Sequence, residues 1–286
     1  MSVTTLVLAG CGSLDELAYD PPTTPTQWCL DRPCVELGGT VLNEPLGTAL
    51  VALLTVLWLA AGAGFLVSRR RQRSRTWLGI ALLLAGLGAG QAGISYQAFA
   101  YELKCAGWQT CRLTTGWEVG YSLTQAASVA AMLVAVAFAC TVGRTRRGII
   151  TFAAVDVAVY AGVVALGVAL PSATLLSFTV LMAFAVPGIV LVLVVASRRF
   201  RATRDPMDRS LVMAAWLLVA VQLAYFASWL SGATQLLWDG GAGIYVSENE
   251  VLHVGMILWL GYVLIRLGPR LRDREDVPAG AGTAGG

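Results

Sequence analysis

The sequence predicts an all-α integral membrane protein, a bundle of seven transmembrane helices, and three observations predict it. The chain of 286 residues is 57% hydrophobic and 13% charged, with a mean hydropathy of +0.69, whereas a soluble domain carries about a quarter charged residues. Seven unbroken apolar runs reach the roughly 17–25 residues that a helix needs to cross the hydrocarbon. Of the 20 basic residues, all but Arg32, Lys104 and Arg112 fall in alternate loops on one side of those runs. The positive-inside rule puts that side in the cytoplasm, the N-terminus outside and the C-terminus inside. An even number of crossings would bring the termini together, which these charges forbid.

In order along the chain, residues 1–45 form a polar, proline-bearing head. The apolar runs are 46–67, 77–100, 117–142, 149–170, 173–196, 211–230 and 251–267, so that 46–268 is one transmembrane domain. Arg69, Arg70, Arg71, Arg73 and Arg75 follow the first run, and Arg144, Arg146 and Arg147 the third. Arg198, Arg199, Arg201, Arg204 and Arg209 follow the fifth, and Arg266, Arg270, Arg272 and Arg274 close the seventh. Residues 269–286 read as a cytoplasmic tail, disordered by its Gly and Ala content.

Local signals mark the ends of the runs. Asp205-Pro206 is a cap followed by proline at the first helical position. Thr115-x-x-Glu118 and Ser247-x-x-Glu250 read as capping boxes. Pro171-Ser172 predicts a tight turn between the fourth and fifth runs, and Pro187-Gly188 a kink within the fifth. Gly86-x-x-x-Gly90, with Gly88 and Gly93 nearby, marks a face where another helix approaches closely.

Arginine in place of lysine, with abundant Ala, Gly, Leu and Val, suggests a GC-rich bacterial genome and hence the bacterial inner membrane. The arginines lie in short loops, so their partners are lipid headgroups rather than nucleic acid. The sequence points to no particular protein partner. Cys29, Cys34, Cys105 and Cys111 all fall on the outer side, where an oxidising compartment favours disulfides. Both the local pairing and a cross-pairing that staples the head over the bundle are open. Cys140 reads as a buried free thiol. Leu8-Ala9-Gly10-Cys11 has the residues of a lipoprotein cleavage site, but the flanks lack the basic and apolar segments of a signal peptide.

Ionisable groups at membrane depth are costly and therefore functional candidates. Asp156 lies about 10 Å into the fourth run, with Tyr160 one turn later. It reads either as a proton or cation site facing the bundle interior or as a tie to a neighbouring helix. A second group gathers in the outer halves of four runs. Gln91 and Ser95, with Tyr96 and Gln97 alongside, are on the second, and Glu118, Tyr121, Gln125 and Ser128 on the third. Gln222 and Tyr225 are on the sixth, and Asn249, Glu250 and His253 on the seventh. Such a distribution is expected of a ligand pocket open to the outside. The bland reading is that the glutamates complete capping boxes and the glutamines pair with one another. His253 is the only histidine, so a multi-histidine zinc site is excluded and no metal or other cofactor is expected.

The count of spans is similar to that of rhodopsins and seven-helix receptors. No lysine lies in the seventh run to form a retinal Schiff base, and Asp-Arg-Tyr and Asn-Pro-x-x-Tyr are absent. The stretch from Ser95-Tyr96-Gln97 through Cys111, with Glu248-Asn249-Glu250-Val251-Leu252-His253, resembles bacterial seven-helix membrane proteins. That resemblance rests on no motif of known chemistry and implies no activity. No catalytic motif stands out, and the expectation is a sensor- or receptor-like protein binding a small molecule or ion from the outer face. The alternatives are a proton-coupled carrier using Asp156 with Pro187 as hinge, and a lipid enzyme using Glu118 and His253 as acid and base.

Overall fold

The computed structural model describes residues 13–69, 71–241 and 245–274. The Leu8–Cys11 motif and Arg70 lie outside these, as do residues 275–286 of the tail. Among the described residues the fold is all-α apart from one small hairpin, and seven helices are long and apolar enough to cross a membrane.

The head is folded. A short helix α1 (Pro25–Leu30) is opened by a Thr24–Gln27 capping box and Pro25. A hairpin follows, β1 (Cys34–Leu37) pairing antiparallel with β2 (Thr40–Asn43). Its turn falls at Gly38 and Gly39, whose φ values of 60° and 86° favour glycine. The long helices are α2 (Pro45–Val67), α3 (Arg73–Ala92), α5 (Gly116–Cys140), α6 (Gly143–Ala169), α7 (Phe178–Thr203), α8 (Pro206–Ser231) and α10 (Glu248–Tyr262). Between them lie two short ones, α4 (Ala100–Lys104) and α9 (Ala233–Asp239). Both α3 and α10 run on into a widened π-helical turn, at Gly93–Ala98 and Val263–Leu267.

Helices α3 and α5 are the most enclosed, while α6, α7 and α8 bury the smallest share of their length. Helix α2 crosses α3 where two glycines meet: a Cβ on Gly62 would stand 2.8 Å from the Gly79 carbonyl oxygen, and one on Gly79 2.9 Å from that of Gly62. The predicted glycine face continues this contact, with Gly86 against Leu59 and Gly93 against Val51, while Gly88 faces α5. The core between α2, α3, α5, α8 and α10 contains the Trp58–Trp259 ring pair at 5.9 Å. Trp259 Nε1 donates to the Ala214 carbonyl at 2.8 Å, so its one polar group is satisfied.

Several ends differ from the sequence reading. The second arginine group, Arg144, Arg146 and Arg147, starts α6 rather than preceding it, because Gly143–Ala169 is continuous. The fifth span begins at Phe178, not at 173. Ser177 caps it, and Ser172 and Ser177 engage backbone N–H groups that a helix through this stretch would have needed. Ser247–Glu250 forms its capping box and Asp205 caps α8 through Met207 N. Thr115–Glu118 forms none, because both side chains are engaged elsewhere.

At the arginine-rich end the charges are structural as well as topological. Asp208 is fully buried and meets Arg199 Nε at 2.9 Å, while Arg199 also donates to the Ala139 carbonyl. Residues 269–274, assigned by sequence to the tail, form a strap across this end. The Asp273 carboxylate accepts from Arg73 N at 2.8 Å and Ser74 N at 2.7 Å, capping α3 from the far end of the chain. Arg274 donates its backbone N–H to the Phe138 carbonyl and its guanidinium to that of Cys140, and its own carbonyl accepts from Arg146.

Candidate functional site

The disulfides are local, Cys29–Cys34 and Cys105–Cys111, and Cys140 is a buried free thiol. The head is nevertheless fastened to the bundle, by packing and hydrogen bonds. Trp28 is buried against Ala100, Cys105 and Cys111. Asn43 Oδ1 accepts from Tyr101 N at 2.7 Å, and Glu102 Oε1 from Val41 N at 2.8 Å. Head and α4 loop thus form one plug over the bundle end.

Beneath the plug lies a buried ionic network. Lys104 Nζ meets Glu118 Oε1 at 2.6 Å, with the two side chains 2% and 4% exposed. Ser95 Oγ donates to the same Glu118 oxygen at 2.8 Å and lies 2.7 Å from Thr115 Oγ1. Lys104 also donates to the Leu113 carbonyl at 3.0 Å, and its ammonium stands 5.0 Å from the Tyr96 ring centroid. The chain's one lysine is thereby neutralised and saturated, as a buried cation must be.

Next to this network a cavity of about 340 Å³ runs down the bundle axis from a rim at Glu248 and Asn249 to Met132, Ile189 and Met256. That volume falls within the range of small-molecule sites. Nine residues of the expected outer polar group line it: Tyr96, Gln97, Tyr121, Gln125, Ser128, Gln222, Tyr225, Asn249 and His253. The π-helical turn at the end of α3 presents Tyr96 and Gln97 to it, a local widening that recurs at functional positions. The wall also holds Trp58, Phe178 and Met182, which periodicity alone marks only as core.

The other expected residues lie elsewhere. Ser95 and Glu118 belong to the Lys104 network. Gln91 accepts from Thr124 Oγ1 at 3.1 Å between α3 and α5. The glutamines do not pair with one another, since Gln125 Nε2 reaches only the Ala85 carbonyl, at 3.4 Å. Glu250 Oε2 accepts from Ser247 N in the capping box, and its Oε1 stands 2.5 Å from where a Cβ on Gly47 of α2 would be. Asp156 sits midway along α6, about 20 Å from the helix start, half-buried and outside the cavity lining. Tyr160, one turn on, packs on Phe184 at 5.2 Å.

Of eleven buried side-chain polar atoms without a partner among the described residues, four lie on residues that line this cavity. Trp58 Nε1, Gln97 Oε1, Gln222 Oε1 and His253 Nδ1 are all buried without a hydrogen-bond partner, and all four residues are on its wall. They come from four elements: α2, the π-helical turn, α8 and α10. Behind the rim, near Glu248, Glu44 is 5% exposed and carries a φ of 41°, uncommon for a residue with a side chain. Burial, with Glu250 and Glu248 nearby, pushes its carboxyl up to about 7 against the pull of Arg32, 3.8 Å away. Burial likewise raises the Tyr245 hydroxyl.

Among the described residues no three His, Cys, Asp or Glu converge as a metal site. Fold and site together define a class, an all-α bundle of seven membrane-length helices that encloses a largely apolar cavity set with polar side chains beside a buried salt bridge. The chain matches no protein-family model, no curated protein and no solved structure.

Proposed function

We propose that this is a multi-pass protein of the bacterial inner membrane that binds a small molecule or ion from the outer face, in a sensor- or receptor-like role. The observation that carries this reading is the set of four unpartnered polar atoms on one cavity wall. Each such atom costs about 1–3 kcal/mol when left unsatisfied, and their convergence from four elements is what a ligand would repay. The arginine-rich end belongs in the cytoplasm by the positive-inside rule, which puts the head and the cavity rim outside. The carrier reading has no carboxylate at mid-span on the cavity wall to rest on, and the lipid-enzyme reading has Glu118 committed to Lys104.

The test is thermal unfolding of the purified protein across a panel of ions, amines, lipids and pH values, repeated on His253→Ala and Gln125→Ala. A ligand that binds only the folded state raises the melting temperature. The expected result is a shift in the native protein that both variants lose. Variants that melt earlier, with no compound shifting the native protein, would sink the reading and leave the polar wall as helix packing.

A further inference from the structure

We propose that the cavity takes an organic monocation, a protonated amine or quaternary ammonium, whose apolar body extends into a second chamber below. This rests on the cavity being a binding site and names what it binds.

Charge comes first. The only ionisable carboxylate on the lining is Glu248, and no lysine or arginine lines it. Behind the rim stand Glu44 and Glu250, 5% and 3% exposed, each with one carboxylate oxygen lacking a hydrogen-bond partner. Arg32 answers Glu44 alone, at 3.8 Å, and Lys104 is committed to Glu118. Glu248 thus supplies the rim's cation-attracting charge, because burial holds part of the Glu44 carboxyl protonated near pH 7 and Arg32 answers the rest.

The unpartnered atoms have the matching polarity. Gln97 Oε1 and Gln222 Oε1 are acceptors, His253 Nδ1 accepts when the ring carries its proton on Nε2, and only Trp58 Nε1 is a donor. A protonated amine has donors and no acceptor, so it suits a wall weighted this way, and a quaternary ammonium, which has no N–H, is held through its charge alone. Trp58, Tyr96, Tyr121, Phe178 and Tyr225 add aromatic rings to the same wall, and ring faces attract cations. A metal ion would need a cluster of ligands that the described residues do not form.

The apolar body follows from the second chamber. It shares Val129, Met132, Ile189 and Leu218 with the first and continues to Val192, Ala214 and Val263, with only apolar side chains apart from the Trp259 indole. Its volume of about 70 Å³ suits a short chain. Gly188, beside the proline of α7, lines it and leaves the space a side chain would fill.

The experiment is titration of the full chain in lipid nanodiscs with hexyltrimethylammonium, tetramethylammonium and hexanol. Hexyltrimethylammonium is expected to bind about tenfold more tightly than either of the others. Glu248→Gln should weaken it by about tenfold and leave hexanol unchanged. Gly188→Leu should erase its advantage over tetramethylammonium, and Gly188→Ala should retain most of it. Equal binding of hexanol overturns the cation assignment while the cavity reading stands. Equal binding of tetramethylammonium overturns the second chamber. No binding by any probe overturns the ligand class, and the cavity reading then depends on whether the wider panel is blank as well.

Discussion

At the scale of single residues, the most consequential partnership is one that no local pattern announces. Thr115-x-x-Glu118 has the spacing of a capping box, yet Glu118 turns to Lys104 and Thr115 to Ser95. The pattern describes what a helix end can do with its neighbours, and a lysine brought over by the α4 loop offers a stronger partner. Removing one half of such a pair leaves a buried charge alone. Lys104→Met is expected to cost about 3–5 kcal/mol, read by denaturant or thermal unfolding, and Lys104→Met with Glu118→Gln should recover much of the loss. A double variant no better than the single one would show that the pair does not act as a unit.

Glu44 makes a second residue-scale prediction. Its carboxyl is raised from 4.5 to about 7, so between those values the folded protein holds a proton that the unfolded chain has released. Its stabilising contribution is complete below about 4.5 and is lost as pH rises through about 7. Melting temperature should therefore decline across that window, and Glu44→Gln should flatten the decline. An unchanged slope in the variant would place the titration elsewhere.

At the scale of elements, the seven spans were legible because hydrocarbon thickness sets a length and apolarity that composition cannot hide. Their ends were less so. The start of α7 waits for Ser177 because serines upstream bind backbone N–H groups, and no hydropathy window sees that. The two π-helical turns carry no recognisable residue signature either, yet one of them delivers Tyr96 and Gln97 to the cavity. The polar residues of the outer halves were readable as a group, whereas their division into cavity wall and salt-bridge network depended on helix rotation. Glycine was readable as a packing device, and the site where backbone of one helix meets backbone of another proved to be Gly62 on Gly79. Gly62→Val has backbone to displace and should lower the melting temperature by several degrees or more. Gly64→Val, with nothing within 4 Å of its Cβ position, should change it little.

At the scale of the whole molecule, the arginine distribution makes an orientation that can be measured. Cysteine introduced at Gly39 in the hairpin should react with an impermeant maleimide added to intact cells, and cysteine at Arg69 only after lysis. The opposite pattern would invert the bundle and place the cavity rim in the cytoplasm. The strap is a feature of the same scale, since Asp273 and Arg274 hold residues that the chain laid down far earlier. During synthesis the start of α3 leaves the ribosome with its first N–H groups bare and keeps them so until the last of the strap has been made. The bundle is thus clasped rather than stacked. Its early helices wait, uncapped at one end, for the closing residues to return to them, and a ribosome that stops short of Asp273 releases seven spans with the clasp undone.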